Sequence, residues 1–309
     1  MKRHFRELSV AAALAVLLLV LAFIAPAFFS KHQLITMLTA AAPVLIAACG
    51  MTLVITARQI DISVGSQFAL CSIIAGLLAK AGMPMPVVAL GAIAGGAVLG
   101  AFNGALIAGL GLPSIVVTLA TMVTWREALR WWREGEFVKD LPDGFQWFGL
   151  GQSGGQILIL ASAALVFAGL AFAMKHLAAG RFVYAVGSDR EAARLAGIRP
   201  AGVTFGVFVL MGALVGLAAL LNAIRFADVD PKTGTGLEMQ TIAAVVVGGV
   251  AISGGRGHLW GVLVGVLLLA CIAPALVFLQ MPPQWEKAIQ GAIILLAVAA
   301  DGWRSRKKI

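Results

Sequence analysis

Residues 187–198 read GSDREAARLAGI, a charged stretch in a chain whose mean hydropathy is +0.97. Ser188 and Glu191 have the spacing of a capping box, in which each side chain bonds the backbone N–H of the other. Asp189 adds negative charge where the helix dipole favours it, and Gly197 is typical of a residue that closes a helix. The stretch therefore predicts a helix of about two turns, too short to be stable in water without a partner surface.

The rest of the chain has the composition of a membrane protein. Of 309 residues, 61% are hydrophobic and 12% are charged, against about 25% charged in soluble domains. Apolar runs near the length of a membrane-spanning helix recur from end to end. We predict ten spans, at about 8–29, 34–57, 62–80, 86–110, 113–130, 156–175, 201–224, 238–252, 258–279 and 284–301. The fold class is therefore an all-α polytopic membrane protein, with residues 1–309 as one transmembrane domain.

The basic residues predict the orientation of these spans. With ten spans, one set of connecting segments and termini holds 14 of the 23 Lys and Arg residues, whereas nine acids balance the nine basic residues opposite. The positive-inside rule places the basic set in the cytoplasm, with both termini and the segment at about 180–200. This set comprises Lys2, Arg3, Arg6, Arg58, Lys175, Arg181, Arg190, Arg194, Arg199, Arg256, Arg304, Arg306, Lys307 and Lys308. Because these charges lie at span ends, topology explains them better than nucleic-acid binding.

Nothing in the sequence indicates an enzyme. A Gly-x4-Gly-Lys-Ser/Thr phosphate loop is absent, and the four histidines lack metal-ligand spacing. Cys49, Cys71 and Cys271 lie far apart in apolar runs, which favours buried packing over a disulfide framework. We expect no catalytic residue, no metal and no cofactor, and any ATP must be hydrolysed by a separate subunit.

A few polar side chains fall within or beside the apolar runs, where they tend to face cavities or other helices. Asn103, Asn222 and Gln240 are candidate pathway residues, because amides suit hydroxyl-rich solutes. Hydrogen bonding between helices is the alternative for each of them. Asp61 precedes the short third span, where capping of that helix near Arg58 is favoured over proton coupling.

Two segments are predicted on the outward side. Residues 125–149 mix four tryptophans with balanced charge, and residues 225–238 carry proline and glycine turn signals. Interfacial anchoring explains tryptophan at this depth, and a surface that receives another protein is the alternative.

Four stretches together resemble the inner-membrane permeases of bacterial ABC sugar importers of the ribose/xylose/galactose type. They are YAVGSDREAARLAGI (184–198), RQIDISVGS (58–66), NGALIAGLGLPSIVVTLATM (103–122) and IAAVVVGGVAISGGRGHLWG (242–261). The chain departs from that family at Gly187-Ser188-Asp189, where Gly-Gly-Asn is frequent, and at Ser114, where Phe is common. The tryptophan-rich loop is similar to that of rhamnose-type permeases.

The resemblance implies a division of labour among partners. An ABC ATPase subunit would bind the cytoplasmic segment, a second permease copy or homologue would complete the pathway, and a periplasmic sugar-binding protein would deliver the solute. The implied ATPase-coupling residues are Gly187, Ser188, Asp189, Arg190, Glu191, Ala192, Ala193, Arg194 and Gly197. The implied structural motif residues are Asp61, Ser63, Gly65, Gly248, Gly249, Gly254, Gly255 and Gly257. Ala192 and Ala193 are expected to lie against the ATPase, because small side chains permit close contact.

Two other classes of transporter remain possible. A branched-chain amino-acid permease would share the architecture but carry a zwitterion, which a charge pair in the pathway would favour. A secondary transporter would need buried carboxylates for ion coupling, which the sequence does not suggest, and it would not need the capped cytoplasmic helix.

Overall fold

A computed structural model describes residues 5–282, 284–293 and 295 of the chain. Within residues 5–282 the chain forms eleven α-helices. They are α1 Phe5–Ile24, α2 Lys31–Thr56, α3 Val64–Lys80, α4 Met85–Gly104, α5 Ser114–Arg133, α6 Gly151–His176, α7 Ala178–Ser188, α8 Arg190–Leu195, α9 Pro200–Ala223, α10 Leu237–Val247 and α11 Leu259–Phe278. Residues 285–293 are also helical.

The helices follow the predicted apolar runs. Among the described residues, five helical stretches are long and apolar enough to cross a membrane: Lys31–Thr56, Met85–Gly109, Gly151–His176, Pro200–Ala223 and Leu259–Phe278. Shorter apolar helices lie at Val10–Ile24, Val64–Lys80 and Leu237–Val247. The all-α membrane class is therefore confirmed. The tenth predicted span begins as a helix, and most of its remainder, like both termini and their six terminal basic residues, lies outside the described residues.

Glycines allow α4 and α9 to pack closely against each other. A Cβ added to Gly96 would collide with the carbonyl of Gly212, and one added to Gly212 would collide with the carbonyl of Gly96. Gly100 faces Phe208 and Gly216 faces Ala92 in the same way. Both helices thus present small residues four apart, the spacing that lets membrane helices approach with their backbones in contact.

Two ends of the bundle can be distinguished. At one, called the α8 end, the chain after α2 meets the end of α7 and the loop 248–258: Gly255 N–H donates to the Thr56 carbonyl over 2.9 Å. At the opposite end Lys80 contacts Asp140, and Val138 pairs with Val229 in an antiparallel bridge. Residues predicted to share a side of the membrane therefore lie together in the fold.

The outward segment 125–149 differs from its prediction. Helix α5 continues to Arg133, so the first nine residues of this segment are helical and the helix extends past the predicted end of the span at about residue 130. Helix-compatible residues continue beyond that point. Trp131 is 84% exposed and Trp132 is also exposed. Elsewhere the three cysteines are free and buried, as the packing interpretation predicts.

Candidate functional site

Helix α8 occupies the centre of the charged stretch, but its cap differs from the predicted capping box. Ser188 is the last residue of α7, and Asp189 is the N-cap of α8. The Asp189 carboxylate accepts from the backbone N–H groups of Glu191 and Ala192, both over 2.9 Å. Glu191 instead pairs with Arg194 over 2.6 Å, and this hydrogen bonding raises the pKa of the Arg194 guanidinium. The break between α7 and α8 thus comes one residue later than the capping box predicted.

The C-terminal end of α8 matches its prediction. Gly197 has a φ of +83°, in the left-handed region that favours glycine. Its N–H donates to the Arg194 carbonyl, and the Ile198 N–H donates to the Ala193 carbonyl, both over 3.0 Å. These bonds satisfy carbonyls that the end of the short helix would otherwise leave free.

Of the two alanines expected to lie against the ATPase, Ala192 is exposed and Ala193 is not. Ala193 is buried against its own chain, where α8 packs on α7 and α9, so it does not offer a surface to a partner. Leu195 is 77% exposed, and Arg190 and Ala192 are exposed as well. Ala193 lies on the inner side of this short helix, and the exposed residues lie on the outer side. The outer face is therefore polar, with one leucine near its end.

Gly187 fixes α8 to the membrane helices. A Cβ on Gly187 would collide with the Thr56 carbonyl at the end of α2 and lie 2.9 Å from the backbone nitrogen of Gly255. Gly187 is therefore a close-packing residue rather than a surface contact. The junction lies directly before the N-cap at Asp189, so it helps to fix the position of α8.

The glycine-rich motif after α10 is the third part of this junction, beside the end of α2 and the end of α7. Gly248 packs against Val262 of α11, while Gly254 lies against Arg58 and Gly255 against Ser188. Left-handed backbone at Gly249, Gly254, Gly255 and Gly257 turns the chain tightly. The Tyr184 hydroxyl donates to the Gly257 carbonyl over 2.7 Å, and burial raises the pKa of this tyrosine. The loop is thereby tied to α7.

A second constellation lies inside the bundle, where α3 and α4 meet. The Asp61 carboxylate is fully buried and accepts from Ser63 N–H (2.9 Å), Ser63 Oγ–H (2.5 Å) and Gln67 Nε2 (3.1 Å). Ser63 Oγ in turn accepts from Gln67 and, over 2.8 Å, from Asn103 Nδ2. Asp61 does not cap α3 as predicted: Ser63 is the N-cap residue, and the Asp61 carboxylate accepts from its N–H and from the side chains of Ser63 and Gln67. Arg58 is exposed at the α8 end.

This polar cluster corrects two expectations. A fully buried carboxylate does exist in the chain, although its three donors give it a structural task. Gln67, which the sequence reasoning passed over, is one turn from Ser63 on the same helix face, and that spacing was the available signal. Buried oxygens of Gln67 and Asn103 have no hydrogen-bond partner among the described residues.

The structure does not bring the three candidate pathway amides together. Asn103 is buried in the polar cluster, whereas the Asn222 side-chain oxygen accepts from Arg225 over 3.1 Å at the opposite end of α9. Gln240 lies in the first turns of α10 and is partly exposed. Asn103 therefore bonds between helices, and a shared solute site for all three is excluded in this conformation.

Comparison with known proteins adds independent information. A family model described as branched-chain amino acid transport system / permease component matches residues 33–298. The autoinducer 2 import system permease protein LsrC of Escherichia coli (strain K12 / DH10B) is 35% identical over 298 residues, covering 93% of this chain and 86% of that protein. The protein of the same name from Salmonella paratyphi B is 34% identical over 301 residues, covering 94% and 85%. No solved structure matches significantly.

Proposed function

The chain belongs to the family of branched-chain amino acid transport system permease components, so it is a membrane permease, and we propose that it imports a sugar-type solute as one subunit of an ABC importer. The solute would be a monosaccharide or a sugar-like signal. The names of the relatives specify autoinducer 2. Those relatives favour a hydroxylated solute over the zwitterion that the family description suggests.

One observation carries the ATP-dependent part of the proposal. Helix α8 projects from the junction of α2, α7 and the loop 248–258, with an exposed leucine on a polar surface. The Asp189 cap and the packing on α7 and α9 hold α8 in place, and six residues are too few to anchor a helix in lipid. Its outward face is therefore available to bind in a cleft of another protein. An ATPase subunit is the partner that such an importer requires, and a periplasmic binding protein and a second permease would complete it.

The proposal is tested by asking what drives uptake. The permease is reconstituted in vesicles, alone and with the ATPase and binding protein of its own system, and uptake of ribose, galactose, rhamnose and autoinducer 2 is measured. We expect ATP-dependent uptake only from the complete set. Accumulation by the permease alone under a sodium or proton gradient would identify a secondary transporter, with Asp61 as its first candidate coupling residue.

The orientation proposed here places the α8 end in the cytoplasm and residues 134–149 outside. Because the three native cysteines are buried, a membrane-impermeant thiol reagent should give low background in intact cells. Gly144→Cys is open to solvent and should be labelled, while Arg194→Cys should be labelled only after the cells are permeabilised. The reverse labelling would invert the topology and remove the ATPase from α8.

A further inference from the structure

Two side chains of opposite charge meet inside the bundle, Arg126 on α5 and Glu238 in the first turn of α10. Both are only partly exposed, and Arg126 lies in the electrostatic field of the Glu238 carboxylate. Charged groups within a membrane bundle are costly, so they tend to line a pathway or a cavity.

Glu238 lies near the middle of the bundle rather than at a surface. Helix α10 has eleven residues, and the loop that follows it reaches the α8 end. At a rise of 1.5 Å per residue, Glu238 is about 15 Å from that end along the helix. The helix thus begins in the interior, as do the broken helices that place solutes near the midplane of other transporters.

The two charged side chains come together beside the backbone of Gly65. A Cβ added at Gly65 would contact Glu238 Oε2 and the Gly234 carbonyl, and it would lie 3.2 Å from one terminal nitrogen of Arg126. The other terminal nitrogen of Arg126 donates to the Thr233 carbonyl over 3.1 Å. Glu238 Oε2 is buried without a hydrogen-bond partner among the described residues. Glu238 Oε2 therefore packs against the Gly65 backbone with the Arg126 nitrogen nearby, so a hydrogen-bond donor and an unsatisfied acceptor are neighbours there.

We propose that Arg126 and Glu238 form a solute-contacting pair in the translocation pathway, which takes neighbouring hydroxyls of a neutral polyol. The inference rests on the function proposed above. A hydroxyl can accept from the guanidinium and donate to the carboxylate, so a diol satisfies both groups without adding net charge. A charge pair also suits a zwitterion, so leucine is the competing solute in the test below.

The test uses the complete importer in proteoliposomes, with Glu238→Gln and Arg126→Lys as variants. Glu127→Gln and Arg130→Lys are the matched controls, since these neighbours on α5 form an exposed pair with each other. We expect ribose and galactose uptake per ATP hydrolysed to fall about tenfold in the variants, the size of one charge-assisted hydrogen bond. Stimulation of ATP hydrolysis by the binding protein should remain, and the controls should match the parent.

Monodeoxy analogues of the same sugars separate contact from structural support. If Glu238 bonds one hydroxyl, the analogue that lacks this hydroxyl should lose little on Glu238→Gln, because the two removals are not additive. The binding protein's own preference among these sugars does not affect the result, because uptake of each sugar by the variant is divided by uptake of the same sugar by the parent. Unchanged sugar uptake, an equal loss for every analogue, or leucine uptake by the parent would each overturn the pair as a polyol site. Failure of the parent importer to carry any of these sugars would contradict the proposed function itself.

Discussion

Gly212→Leu is expected to prevent the permease from folding stably. The Gly212 Cα lies so close to α4 that an added Cβ would collide with the Gly96 carbonyl and lie 2.9 Å from the Gly100 nitrogen. These are backbone atoms, which cannot move aside by changing rotamer. The two helices would have to separate, and that would also loosen the contacts at Phe208 and Gly216. We expect the free energy of unfolding to fall by more than the usual cost of overpacking, which is about 1–3 kcal/mol.

Gly206→Leu provides a control on the same helix. Gly206 is exposed, and a Cβ there would meet nothing within 4 Å. It also has the same change in helix propensity, so the difference between the two variants isolates the steric effect. Thermal unfolding in detergent, followed by size-exclusion chromatography, gives the comparison. Equal melting temperatures for the two variants would show that the α4–α9 contact is looser than described here.

Much of the architecture could be predicted from the sequence, because membrane helices are long apolar runs that composition reveals directly. The helix contacts were less accessible. The spacing of Gly96 and Gly100, and of Gly212 and Gly216, marks helices that can approach closely, but it does not say which pair meets. The predicted fifth span ended at about residue 130, close to the end of α5 at Arg133.

The candidate site was predictable in position and less so in detail. Ser188 and Asp189 are both good caps and adjacent, so sequence alone does not decide between them; the last turn of α7 takes Ser188. The inward face of α8 depends on the angle at which α7 delivers it, which no local pattern encodes. The polar cluster around Asp61 joins Ser63 to Asn103, 40 positions apart, and sequence alone therefore did not decide whether Asn103 is a pathway residue or a link between helices.

The exposed leucine of α8 leads to a prediction about coupling. Leu195 lies outside the predicted spans with 77% of its surface exposed, next to Arg194 and Glu191. Under the proposed function it is the apolar contact that the ATPase buries. An aspartate there would lose that burial and leave a charge in a closed cleft, which at a buried interface residue costs about 2–4 kcal/mol.

Leu195→Asp should therefore weaken ATPase binding at least about thirtyfold and abolish transport while the permease stays folded. Ala193→Glu would not serve this purpose, because Ala193 is buried within its own chain and a glutamate there would damage the permease. Leu195→Met is the matched control, since it keeps an apolar side chain of similar volume. Co-purification with the ATPase and ATP hydrolysis in nanodiscs are the measurements. If Leu195→Asp binds and stimulates the ATPase as well as Leu195→Met does, α8 is a spacer between α7 and α9, and ATP-driven motion must enter the bundle elsewhere.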